Sequence, residues 1–280
     1  MPRFAANLSM MFNEVPFLDR FARARAAGFE AVEFLFPYEF PPAEIAQRLA
    51  DSGLAQVLFN GPPGDWERGE RGIAALPGRG AEFREGIRRA LDYCTALSCP
   101  RLHVMAGLAP AGVPRDTLLA TYAVNLAWAA EECGKAGVKP IIEPINHRDI
   151  PGFFLNTTDE GAAIIEAIGP ERLGLQFDLY HCQITEGDVV KRVERHLPLI
   201  AHMQVADTPG RHEPGTGEVN WPFVFERIDA LGFRGWIGCE YRPRGVTEDG
   251  LGWFAPYRGG GAVTPSPARR MPGHAHLVHV

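Results

Sequence analysis

Residues 234–243 read RGWIGCEYRP, in which a short apolar run, Trp236-Ile237-Gly238-Cys239, ends on the carboxylate of Glu240. An ionised carboxylate taken out of water alone costs several kcal/mol or is driven to neutralise itself. A buried strand that ends this way therefore calls for a cation beside it. Outward from this stretch the pattern repeats. Strand-favouring runs closed by polar residues or by Gly and Pro occur at 4–7, 31–36, 56–60, 101–105, 140–143, 173–178, 200–205 and 236–241. Segments with helical spacing lie between them, such as Phe83, Ile87, Leu91 and Cys94, or Leu118, Tyr122, Leu126 and Ala129. Pro16 and Pro222 stand where a first helical turn begins, and Gly28, Gly53 and Gly232 where one ends.

Strand and helix alternating eight times, with connections long enough for a helical crossover, predict an α/β fold: a parallel sheet closed into a (β/α)8 TIM barrel. An open doubly wound sheet is the alternative. It is weakened because no G-x-G-x-x-G follows the first strand. The glycines of RGIAALPGRG, residues 71–80, come after the third strand and are expected to form a flexible loop. One catalytic barrel domain is expected over 1–258. A Gly/Pro-rich tail over 259–280 is expected to be disordered, with His274, His276 and His279 incidental to it.

Composition narrows the function. The 280 residues carry a net charge of -6, whereas nucleic-acid binders present a basic footprint, so no nucleic-acid partner is expected. The five cysteines are odd in number and lack any C-x-x-C spacing, which argues against a disulfide framework or a zinc knuckle and for a reducing compartment. The opening MPRFAANLSMMF lacks the anatomy of a signal peptide, and no later run reaches membrane-spanning length. A cytoplasmic enzyme without a membrane partner is expected. Its oligomeric state is open, and a homo-oligomer is compatible with the sequence.

In such a barrel the chemistry sits where the strands end. The fifth run ends on Glu143, the sixth on Asp178, the seventh near Gln204 and the eighth on Glu240. Three carboxylates converging without a counter-charge raise one another's pKa, and a divalent cation removes that conflict. An all-oxygen donor set points to Mg²⁺ or Mn²⁺ over zinc. His181, in DLYH, is a candidate to hydrogen-bond a substrate oxygen. Arg211, in the loop DTPGRHEPGTGE, is a candidate clamp for a substrate carboxylate. Asn7, Glu33, Asn60, His103 and His212 are expected to line the same mouth.

The segments EPINHRDIPGFFL (143–155), DLYHCQ (178–183), HMQVADTPGRHEPGTGEVNW (202–221) and GWIGCEYRPRGVTEDGLGWF (235–254) resemble the hydroxypyruvate isomerase family of xylose isomerase-like barrels. The likeness covers roughly residues 3–258. It implies a cytoplasmic enzyme of glyoxylate metabolism that interconverts hydroxypyruvate and 2-hydroxy-3-oxopropanoate. It also implies that Glu143 and Glu240 act as paired proton donor and acceptor, with Glu143, Asp178, Gln204 and Glu240 lining the metal site. In the wider superfamily the seventh-strand ligand is commonly histidine, and Gln204 follows the hydroxypyruvate-isomerase subgroup instead. The opening MPRFAANLSMMF and the ending GLGWFAPYRG are similar to the neighbouring 2-oxo-tetronate isomerases, whereas the fifth-strand segment and the PGRHEPGTGE loop keep the hydroxypyruvate form. An isomerase or epimerase of a larger sugar acid is a second reading. A metal phosphodiesterase of the endonuclease IV type is a third, weakened because it needs several more histidines at strand ends.

Overall fold

The computed structural model describes residues 1–260. Eight strands, β1 (Arg3–Asn7), β2 (Ala31–Glu33), β3 (Ala55–Asn60), β4 (Arg101–His103), β5 (Lys139–Ile142), β6 (Gly174–Asp178), β7 (Ile200–Val205) and β8 (Trp236–Cys239), form a closed barrel. Each strand is parallel to the next, and β8 closes onto β1 through Phe4 opposite Ile237 and Ala5 opposite Gly238. Helices α1 (Arg20–Ala26), α2 (Pro42–Ser52), α3 (Gly80–Leu97), α4 (Arg115–Lys135), α5 (Thr158–Ile168), α6 (Leu179–Thr185), α7 (Val189–His196) and α8 (Trp221–Ala230) cover it. This is the closed barrel expected from the alternation, and the open sheet is excluded.

Strand periodicity sorts the side chains. Successive residues point to opposite faces, so Ile142, Phe177, Met203 and Ile237 go outward into the large core beneath the helices. Ala5, Ala31, Leu58 and Ile141 form a smaller apolar cluster inside the barrel. The same period carries Asn7, Glu33, Asn60, His103, Glu143, Asp178, Gln204 and Glu240 inward at the mouth, where every one of them is buried. Leu118, Tyr122, Leu126 and Ala129 are all buried on α4, as their spacing predicts.

Several boundaries differ from the sequence reading. β2 stops at Glu33 and β4 at His103, each short of its apolar run, because the chain leaves the ladder to build the mouth loops. β8 stops at Cys239, where Glu240 N–H turns back to donate to Gly238 O (3.1 Å). The connection after β6 holds two helices, α6 and α7, separated at Asp188, whose φ of 50° breaks the run.

The segment 71–80, expected as a flexible loop, is pinned. Ile73, Ala74 and Ala75 are buried, and Gly72 bridges Ala106 so closely that a Cβ would lie 2.4 Å from Met105 O. Asn125 Nδ2 also donates to Ala74 O (2.8 Å). Near the end of the described chain, a 3-10 segment (Thr247–Gly260) docks by aromatic packing, with Phe254 stacked on Phe29 at 4.4 Å and Trp253 edge-on to Phe4 at 5.1 Å. The tail expected to be disordered over 259–280 lies, from 261 onward and with its three histidines, outside the described residues. Among the described residues, no helix is long and apolar enough to cross a membrane.

Candidate active site

Half of the barrel mouth, from β5 to β8, carries the convergent group. One ligand atom from each of Glu143, Asp178, His181 and Glu240 lies within 4.8 Å of the other three, and all four residues are buried. Glu143 and Glu240 are the first residues beyond β5 and β8, and Asp178 is the last of β6. His181 follows on α6, whose N-terminus Asp178 caps through Tyr180 N–H (2.8 Å).

The counter-charge that Glu240 demands is Arg211. Its Nη2 donates to Glu240 Oε2 (2.9 Å) and lies 3.9 Å from Asp178 Oδ2, while Nη1 donates to Asp149 Oδ2 (2.9 Å). Its guanidinium carbon also stands 5.0 Å from the centre of the Tyr180 ring, whose hydroxyl donates to Asp149 Oδ1 (3.2 Å). Arg211 reaches inward from a left-handed backbone (φ 56°) that the loop enforces. Asp207 accepts from Gly215 and Gly217 N–H (2.8 and 2.9 Å), and a Cβ on Gly217 would lie 1.9 Å from Thr208 O.

One guanidinium does not neutralise three carboxylates. Burial, followed by the charges of Glu240 and Asp178, holds the Glu143 carboxyl well above the ordinary carboxylate range. Burial likewise pushes Glu240 up to about 8 against the pull of Arg211, and Asp178 up to about 6. Glu143 Oε1 and Asp178 Oδ2 are buried and accept no hydrogen bond. Unmet oxygens, clustered negative charge and an oxygen-rich donor set are what a hard divalent cation satisfies, so the residues fit a metal site.

The remaining residues singled out in the sequence divide. His103 joins the wall, with Nδ1 3.5 Å from Glu143 Oε2 and hydrogen-bonded to Asn60 Oδ1 (3.2 Å), and burial lowers its pKa to about 3. Gln204 belongs to a deeper network. Its Nε2 donates to Glu33 Oε1 (2.8 Å) and its Oε1 accepts from Gln176 Nε2 (2.6 Å), leaving the carbonyl one further lone pair. Glu33 also accepts from Asn7 Nδ2 (3.0 Å) and His202 Nε2 (2.6 Å). His212 turns away from the cluster and donates to Arg242 O (2.8 Å), tying the β7 loop to the β8 loop. Asn146, Asp149 and Tyr180 were not anticipated. Their one sequence signal is the N-x-x-D spacing of Asn146 and Asp149, which folds as a turn with Asp149 N–H on Asn146 Oδ1 (2.8 Å).

Comparison with known proteins agrees with the fold. Residues 21–257 match the family model described as a xylose isomerase-like TIM barrel. The chain is 58% identical over 259 residues to a 2-oxo-tetronate isomerase of Cupriavidus necator, covering 92% of this chain and all of that protein. It is 45% identical over 258 residues to the hydroxypyruvate isomerase of Escherichia coli, with 92% and 100% covered. A solved structure titled AP endonuclease, family 2, from Brucella melitensis superposes with a TM-score of 0.90 at 48% identity, covering 92% of this chain and 100% of that one. Fold and relatives agree: the chain belongs to the xylose isomerase-like TIM barrel family and is an isomerase within it.

Proposed function

We propose that the protein moves a carbonyl between C2 and C3 of a small 2-oxo acid through an enediolate, with Glu143 and Glu240 as the proton-transferring pair. The observation that carries this reading is the convergence of these two buried carboxylates, on opposite sides of Asp178 in strand order, with Glu143 Oε1 and Asp178 Oδ2 left unmet. One carboxylate takes the proton from C3 and the other returns a proton to C2, while the proton of the C3 hydroxyl passes to the C2 oxygen, so that the carbonyl and the hydroxyl exchange places. Two neighbouring carboxyls raised in pKa by burial suit that exchange, which needs one of them to hold a proton and the other to accept one. Arg211 supplies a fixed positive charge for the substrate carboxylate, and His181 faces the substrate oxygens. Glu143, Asp178, Gln204 and Glu240 would hold a divalent cation, Mg²⁺ or Mn²⁺. Such an ion supplies Lewis-acid stabilisation of the developing oxyanion, worth roughly several kcal/mol.

The 58% identity to a 2-oxo-tetronate isomerase favours the four-carbon acid as substrate. Hydroxypyruvate is the second reading, favoured by the hydroxypyruvate-like segments 143–155 and 209–218. Both acids need the same C3 and C2 proton transfers and differ by the hydroxymethyl group on C3. A phosphodiesterase is disfavoured, since the cluster holds one histidine among the described residues and the chain is acidic. The test is an isomerisation assay on both acids, with and without chelator, alongside exchange of the C3 proton with solvent. Exchange on the four-carbon acid with higher kcat/KM supports the proposal, and absence of exchange on either acid overturns it.

A further inference from the structure

His181 sits among three carboxylates, where a histidine is ordinarily counted as a ligand. Ligation requires a lone pair on the nitrogen that faces the site, and the structure determines which nitrogen has it. The backbone N–H of Asp149 can only donate, and it meets Asn146 Oδ1 at 2.8 Å. The amide of Asn146 is thereby oriented with its NH2 group on the other side, where Nδ2 lies 2.5 Å from His181 Nδ1. An N–H at that distance needs an acceptor, so Nδ1 carries the lone pair and the ring hydrogen belongs on Nε2. A doubly protonated ring is excluded by the same contact, because two hydrogens would meet head-on. Nε2 faces the cluster, 3.5 Å from Asp178 Oδ2 and 3.7 Å from Glu143 Oε1.

We propose that Asn146 is a positioning residue that locks His181 as its Nε2–H tautomer, so that His181 meets the substrate as a hydrogen-bond donor and not the cation as a ligand. The lock is built for permanence. Asn146 is fully buried, and its backbone carbonyl accepts from Ile150 N–H (3.2 Å), closing the turn that orients the side chain. The identity of the substrate oxygen rests on the isomerase reading above; the tautomer does not. A donor aimed at the oxygen where charge develops is worth about 10²–10³ in kcat when removed.

Asn146→Asp tests this with almost no change in shape. One carboxylate oxygen keeps the Asp149 N–H, and the other now accepts, so the ring hydrogen moves to Nδ1 and Nε2 gains a lone pair. Nitrogen-15 spectra of the histidine rings, with His181 assigned by its loss in His181→Gln, are expected to show Nε2–H in the unsubstituted protein and Nδ1–H in Asn146→Asp. The expected kinetic effect is a fall in kcat of about 10²–10³-fold with KM within a few-fold. In a His181→Gln background, where the amide brings its own N–H, Asn146→Asp should cost less than tenfold. An Nδ1–H ring in the unsubstituted protein overturns the proposal, as does a tautomer swap that leaves kcat unchanged. If neither acid is isomerised, the functional reading fails while the spectra still decide the tautomer.

Discussion

Two groups of buried carboxylates lie within this one barrel, and they are treated in opposite ways. Glu33, at the end of β2, accepts from Asn7, His202 and Gln204, three donors for one carboxylate. Across the mouth, Glu240 and Asp178 share one guanidinium, and Glu143 and Asp178 each leave a buried oxygen without a donor. Both groups are equally removed from water, so burial alone does not separate them. What separates them is satisfaction: a buried acid with a full set of donors holds structure, and one kept short of donors is poised to receive a cation, a substrate or a proton.

The largest effect that sharpens this contrast is at the unsatisfied acids. Glu143→Gln or Glu240→Gln should lower substrate isomerisation and C3 proton exchange by about 10²–10⁴-fold. Melting temperature should hold or rise, because the change relieves like-charge repulsion. Retained exchange in both variants would remove the proton-transfer assignment. Glu33→Ala should do the reverse. Each donor it strands costs about 1–3 kcal/mol, so a loss of at least ~3 kcal/mol is expected. That corresponds to a fall in Tm of roughly 6–12 °C by thermal unfolding. A variant that melts normally yet is inactive would break the division.

Cation binding comes next. At about 100 times its Kd, Mg²⁺ or Mn²⁺ should stabilise the folded chain by about 2.7 kcal/mol. Chelator should then lower Tm by roughly 5–10 °C, and the shift should vanish in Asp178→Asn but survive in His181→Gln. The smallest effect tests the close approach beneath Glu33. A Cβ on Gly238 would lie 2.2 Å from both Glu33 carboxylate oxygens, so Gly238→Ala must displace that side chain. A cost of about 1–3 kcal/mol is expected in denaturant unfolding, with the mouth acids untouched. Unchanged stability would show that Glu33 has room to move.

Much of the mouth was legible along the chain. A period-two strand ending in a polar residue delivers that residue inward, so Asn7, Asn60, Glu143, Asp178, Gln204 and Glu240 could be read at or near strand ends, whereas Glu33 and His103 stood inside longer apolar runs as lining residues. Their partners could not. Gln204 has the same strand-end signature as Asp178, yet its amide is held by Gln176 and Glu33, which are 28 and 171 residues away. Arg211 reads in sequence as a loop residue able to clamp a substrate carboxylate, and only a left-handed turn braced by Asp207 aims it at Glu240.

By itself, then, the sequence determined the barrel, because alternating strand and helix periods with right-length connections close in few ways. It determined as well which residues each strand carries to the mouth, because side-chain alternation is a local property of the backbone. Tertiary structure alone decided which acids are satisfied and which are left short, and on which nitrogen His181 keeps its hydrogen. Those outcomes depend on hydrogen-bond partners brought together across the closed barrel, and no spacing along the chain encodes a distance between strands that meet only when the sheet closes.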